Sequence, residues 1–156
     1  MKHKKIILIT LILLWMVIIF IFSSQVSDKS SNISGNTIRI ILNKLQLTQN
    51  MNEQQINEMV ENLQTPMRKI AHFSIYTVGG VLVMVFFSKL NITSKKKIIY
   101  SLVFCAIYAV LDELHQYFVP GRSCEIRDVL IDSTGSLLGI LVSYYIIKIF
   151  QKKQKI

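Results

Sequence analysis

The stretch IILITLILLWMVIIFIF, residues 6–22, holds no charged residue and consists almost wholly of aliphatic and aromatic side chains. It is apolar on every face a helix could present, so it has no stripe suited to water. Counting outward to the nearest charges gives 22 uncharged residues between Lys5 and Asp28. A helix crossing a bilayer needs about 20, and the segment reads as a transmembrane span over about 6–25. Lys2, Lys4 and Lys5 precede it as they would a secretory signal. The apolar run is too long for a usual h-region, however, and no small-x-small cleavage site follows, so the segment reads as an uncleaved signal anchor.

The remainder of the chain repeats this pattern. At 156 residues, 51% of them hydrophobic, and with a mean hydropathy of +0.44, the chain is too apolar for an ordinary soluble domain of its length. Three further spans are expected, over about 69–88, 98–119 and 129–147. The third carries Asp112 and Glu113 late in its length, and the fourth carries Asp132 early. The predicted fold is therefore all-α, a polytopic membrane bundle of four transmembrane helices forming one domain.

Charge gives the bundle a direction. The net charge of +9 would suggest nucleic acid if it were spread over a soluble core, but the basic residues cluster at the ends of apolar runs, and nucleic acid is excluded as a partner. With the N-terminus inside, the cytoplasmic segments hold Lys2, Lys4, Lys5, Lys89, Lys95, Lys96, Lys97, Lys148, Lys152, Lys153 and Lys155. That is eleven lysines and no acid, leaving the other seven basic residues and all nine acids for the outer side. Because lysine-rich flanks are retained in the cytoplasm, both termini are predicted there. The outer loop, 26–68, contains two helical stripes: Ile38, Ile41, Leu42 and Leu45, then Ile56, Met59, Val60 and Leu63. They predict an interfacial helical pair lying on the outer leaflet or over the bundle, or a lid above the polar residues described next. Cys105 and Cys124 have no metal-like spacing and read as ordinary thiols.

The polar residues inside the spans are the informative ones, because each ionisable group at membrane depth costs about 2.5–3.5 kcal/mol on insertion scales. Positions three and four apart share a helix face. Asp112, His115 and Gln116 are thus placed on one side of span three, Lys69, His72 and Tyr76 on one side of span two, and Asp128 and Asp132 on one line of span four. That last line continues through Gly135 and Gly139, a spacing that admits a close neighbouring helix. Spans two and four start outside and span three ends there, so the three stripes are expected to meet in the outer half of the bilayer. The loop Pro120, Gly121, Arg122, Ser123 lies above them, with Ser24 and Gln25 of span one alongside.

Three elements, SSQ at 23–25, KIAHFSIYTVGG at 69–80 and DELHQYFVPGRSCEIRDVLIDSTGSLLG at 112–139, occur in the order found in the VanZ-like family, which this chain resembles. The family takes its name from a glycopeptide-resistance accessory membrane protein. The resemblance implies a small four-helix protein of the cytoplasmic membrane of Gram-positive bacteria, of a kind in which some members lower sensitivity to teicoplanin-type drugs. It implies no particular reaction.

Three readings of the polar cluster stay open at this point. Lys69 or Arg122 can pair with Asp112, Asp128 or Asp132 simply to fix helix register. The cluster can instead be an enzyme site acting on a lipid-linked or headgroup substrate. His115 would then be the base, oriented by Asp112 or Asp132, with Glu113 and His72 beside it and with Lys69, Arg122, Gln116, Asp128, Ser24 and Gln25 holding the substrate. Or it can be a non-catalytic binder of membrane lipid, a lipid-linked cell-wall precursor or a glycopeptide drug, with Phe73, Tyr76, Tyr117 and Phe118 packing a lipophilic part. His72, His115, Asp112 and Asp132 offer nitrogen and oxygen donors suited to zinc or manganese. DELHQ is nevertheless not the two-histidine motif of zinc proteases, and the expectation is no metal and no cofactor. A transporter ranks below these, since no internal repeat is visible. The sequence leaves the oligomeric state undetermined.

Overall fold

The computed structural model describes residues 2–122 and 124–153, so Ser123 and Lys155 of the sequence reading lie outside the described residues. The described residues form five helices: α1 (Lys2–Ser23), α2 (Ser27–Lys44), α3 (Glu53–Ser88), α4 (Ser94–Tyr117) and α5 (Ile126–Lys153). All except α2 are long and apolar enough to cross a membrane. Large apolar side chains such as Ile7, Leu14, Phe20, Val103, Leu130 and Ile146 stand exposed around their outer faces. Water would not tolerate that surface, whereas lipid chains solvate it. This is a multi-pass membrane protein.

The segment 26–68 departs from the expected pair of separate helices. Its second stripe belongs to the N-terminal half of α3, which runs unbroken for 36 residues through Pro66. Such a helix is about 54 Å long, well beyond the roughly 30 Å hydrocarbon layer, so its first half projects past the span. The charges at Arg68 and Lys69 mark where polarity changes; the backbone helix continues across them. A capping box starts α3, with Asn52 accepting from the Gln55 N–H at 2.8 Å and Gln55 accepting from the Asn52 N–H at 2.9 Å. The two stripes then bury one another. Ile38 and Leu42 of α2 close on Val60, with Ile56, Met59 and Met67 around them. Two residues after the end of α2 at Lys44, Gln46 takes a left-handed φ of 56°, while the Leu47 N–H reaches back to the Leu42 carbonyl at 3.1 Å. That is the usual way of satisfying the last carbonyls of a helix.

In the bundle, α3 and α5 form the largest interface, and α4 packs against both. Small residues make this possible. A methyl group placed on Gly80 would strike the backbone of Ser136, one on Gly135 the carbonyl of Phe73, and one on Gly139 the carbonyl of Thr77. The Gly135–Gly139 face is therefore occupied within the chain by α3. Among the described residues helix α1 packs closely against α3 and α4, and two polar handles fix it there. The Trp15 indole N–H donates to the Ile75 carbonyl at 2.9 Å, and the Tyr108 hydroxyl donates to the Met16 carbonyl at 2.5 Å. Trp15 also lies against Gly79 and meets the Tyr76 ring edge-on, with centroids 5.6 Å apart. Among the described residues α1 and α2 do not pack closely, and a gap is left between them. Cys105 is buried and Cys124 exposed, both as free thiols.

Candidate functional site

Three helices bring their polar stripes together at the end of the bundle that carries α2. At the rim, Lys69 of α3 pairs with Asp128 of α5 at 2.7 Å and with Glu125 at 3.5 Å. One turn deeper, His72 Nδ1 lies 3.5 Å from Asp132 Oδ2. Asp112 reaches the same point from α4, so that one donor atom from each of His72, Asp112 and Asp132 lies within 4.8 Å of the others. Both carboxylates are buried, Asp132 at 1% exposure and Asp112 at 4%. Helical periodicity produces this convergence: Lys69 and His72 are three apart on α3, and Asp128 and Asp132 four apart on α5. The glycine-mediated α3–α5 contact supplies the closeness.

A chain of hydrogen bonds runs from this cluster to the surface. Gln116, one turn beyond Asp112, donates from Nε2 to Asp112 Oδ2 at 3.1 Å and to Ser23 Oγ at 3.4 Å. Its carbonyl accepts from Arg122 Nη1 at 2.8 Å. Arg122 also donates to the Gln25 carbonyl at 3.1 Å and to the Phe22 carbonyl at 3.5 Å. Gly121, at φ 77°, turns the chain sharply enough to aim Arg122 back over the bundle, a conformation that glycine adopts at no steric cost. Burial, together with the nearby like charge of Arg68, pushes the Arg122 guanidinium below its ordinary pKa, partly offset by Asp112 and Glu113. It remains a cation, since an arginine in a protein keeps its proton.

Two cavities adjoin here. A small polar chamber of about 40 Å³ is bounded by Arg68, Lys69, His72, Gln116, Arg122 and Asp132, among others. It is large enough for an ion or a water or two. A groove of about 320 Å³ opens in the gap between α1 and α2, lined by Ile19, Phe22, Ile33, Met67 and Ile75. Arg68, His72 and Arg122 border both.

Several residues of the sequence reading sit elsewhere. His115 leaves the cluster: its Nε2 pairs with Ser24 Oγ at 2.9 Å, and its ring stacks on Phe20 with centroids 4.3 Å apart. The reason is angular. Residue i+4 is turned about 40° from i, whereas i+3 is turned about 60° the other way, so Gln116 follows Asp112 and His115 swings toward α1. Neither Asp112 nor Asp132 orients it. Glu113, about 100° from Asp112, is buried but accepts the Glu125 N–H at 2.6 Å, holding the α4–α5 turn and not the chamber. Gln25 contributes a backbone carbonyl. Tyr76 is fully buried, while Tyr117 and Phe118 are exposed. Arg68 escaped the sequence reading, which took it as the end of the outer loop. Its signal was available, since Arg68, His72 and Tyr76 are successive i, i+4 positions on one line.

A model of the VanZ/LLP1 family matches residues 8–150, which takes in all four spans and the whole of the polar site. The chain belongs to the VanZ/LLP1 family. No curated protein and no solved structure matches it. Within this VanZ-family chain, the match embraces the three sequence elements that supply His72, Asp112, Gln116, Arg122 and Asp132.

Proposed function

We propose that this VanZ-family protein holds the anionic head of an amphiphile, a lipid-linked cell-wall precursor or a membrane lipid, at the outer leaflet of the bacterial cytoplasmic membrane. By doing so it contributes to tolerance of teicoplanin-type glycopeptides, a role for which family membership is the support. The observation that carries the binding reading is that Arg68 and Arg122 border both the polar chamber and the apolar groove. Two guanidiniums close enough to repel one another favour a shared anion. A groove of this size lined with apolar side chains suits a hydrocarbon chain. An amphiphile satisfies both at once.

The outer-leaflet placement rests on the lysine asymmetry. A reporter enzyme fused to the C-terminus is expected to be active only in the cytoplasm, and activity outside the cell would invert the site.

The binding test uses the full-length protein in detergent, with phosphatidylglycerol and a polyprenyl phosphate as anionic probes and phosphatidylcholine as the zwitterionic one. Both anionic probes are expected to bind at least about tenfold more tightly, the worth of one charge-assisted pair. Arg68→Gln should erase most of that preference. Equal affinity for all three lipids would refute the reading, and a preference for only one anionic probe would identify the source of the headgroup. Catalysis on the same headgroup is the second reading, favoured by the close His72–Asp132 pair. A histidine held by a buried carboxylate is suited to act as a general base.

A further inference from the structure

The cluster beneath the Lys69–Asp128 pair has more polar capacity than the protein itself satisfies. Asp132 is 1% exposed, yet its Oδ1 has no hydrogen-bond partner among the described residues, and neither does the hydroxyl of the fully buried Tyr76. Tyr76 is one turn beyond His72 on α3, within electrostatic reach of Asp112 and Asp132. Buried polar atoms in proteins are almost always paired, and an orphan calls for water or an ion. Here a carboxylate oxygen is the orphan, which favours a cation. The nearest lysine does not fill the role, because Lys69 is engaged by Asp128 and Glu125.

We propose that His72, Asp112 and Asp132 bind one divalent transition-metal cation, zinc or manganese, with an open coordination position facing the polar chamber. Three helices each supply one nitrogen or oxygen donor, all within 4.8 Å of one another. Donors around a zinc ion at about 2.1 Å stand roughly 3.4 Å apart in a tetrahedron. The His72–Asp132 separation of 3.5 Å already matches that value, and the other separations, none above 4.8 Å, need a shortening of at most roughly 1.4 Å, within reach of side-chain rotation. One imidazole and two carboxylates form a donor set for zinc or manganese and not for copper(I) or an iron–sulfur cluster. A dication also neutralises the two carboxylates with His72 uncharged, removing the penalty of acids held at membrane depth. The adjoining chamber of about 40 Å³ leaves space for a further ligand. Of the four donors named from the sequence, the proposed set keeps these three and omits His115, which pairs with Ser24.

The proposal stands apart from the amphiphile reading, and its test contains no lipid ligand. Full-length protein in detergent, stripped with a chelator and reloaded with zinc or manganese alone, is passed through a desalting column and assayed for metal. About one equivalent per chain is expected. Asp112→Asn and Asp132→Asn should each weaken binding by at least about 100-fold, while Glu58→Gln, an exposed acid on the projecting half of α3, should retain the metal. Should the first two variants fail to give a folded peak, pulsed electron paramagnetic resonance of the manganese-loaded wild type decides the matter. A nitrogen coupling that disappears in His72→Gln supports the site. Wild-type protein that retains neither metal, or that binds manganese without a nitrogen coupling, overturns it.

Discussion

Gly139→Leu is expected to abolish the folded protein, with only aggregated material eluting from gel filtration in detergent. A single methyl at this position already meets the carbonyl of Thr77 in the facing helix. A backbone cannot turn aside as a flexible side chain can, so accommodating leucine requires α3 and α5 to separate. Those two helices share the largest interface in the molecule, and there is no hydrophobic force between helices in lipid to restore it. The cost should exceed about 4 kcal/mol, the range reserved for gross overpacking or lost networks. Gly139→Ala should be milder, at about 1–3 kcal/mol, read as a lowered thermal transition. Val142→Leu, on an exposed part of the same helix, should leave the transition unchanged. A monodisperse, thermally stable Gly139→Leu protein would show that the α3–α5 approach does not hold the bundle together. The same loss of approach would part His72 from Asp132, since those residues face each other across this contact.

The membrane bundle was legible because it depends on quantities that sequence records directly: the length of apolar runs and the places where charge interrupts them. Residues 6–22 could do nothing else, and the glycine spacing at 135 and 139 already implied a close neighbour. What remained hidden was angular and long-range. Treating positions three and four apart as equivalent put His115 with Asp112, although the two offsets lie on opposite sides of the line and only Gln116 stays with the cluster. The boundary at Lys69 was drawn by charge, which hid both the continuity of α3 and the membership of Arg68. Nor could spacing along one chain show that α1 and α2 stand apart, and the groove between them exists only through that separation.

Arg122→Ala is expected to eliminate any glycopeptide tolerance that the protein confers, and to reduce binding of anionic lipid by at least about tenfold, with its level in the membrane unchanged. The side chain ties α1 to α4 at the mouth of the site. Its donors reach the Gln25 and Phe22 carbonyls at the end of α1 and the Gln116 carboxamide on α4, and Gln116 in turn positions Asp112. Removing it takes a cation from the mouth shared by chamber and groove and frees Gln116 to turn. Each lost bond involves a charged group and is worth about 1.5–3 kcal/mol net, so a lowered thermal transition is expected as well, and stability alone cannot separate the roles. Arg122→Lys does separate them. Lysine keeps the charge but lacks the planar fork, so it should recover much of the lipid binding while leaving the transition lowered. If binding and drug susceptibility are both unchanged in Arg122→Ala, the guanidinium serves only to tie α1 to α4. In that event the site's affinity for an anion would have to come from Arg68, and Arg68→Gln would become the deciding variant.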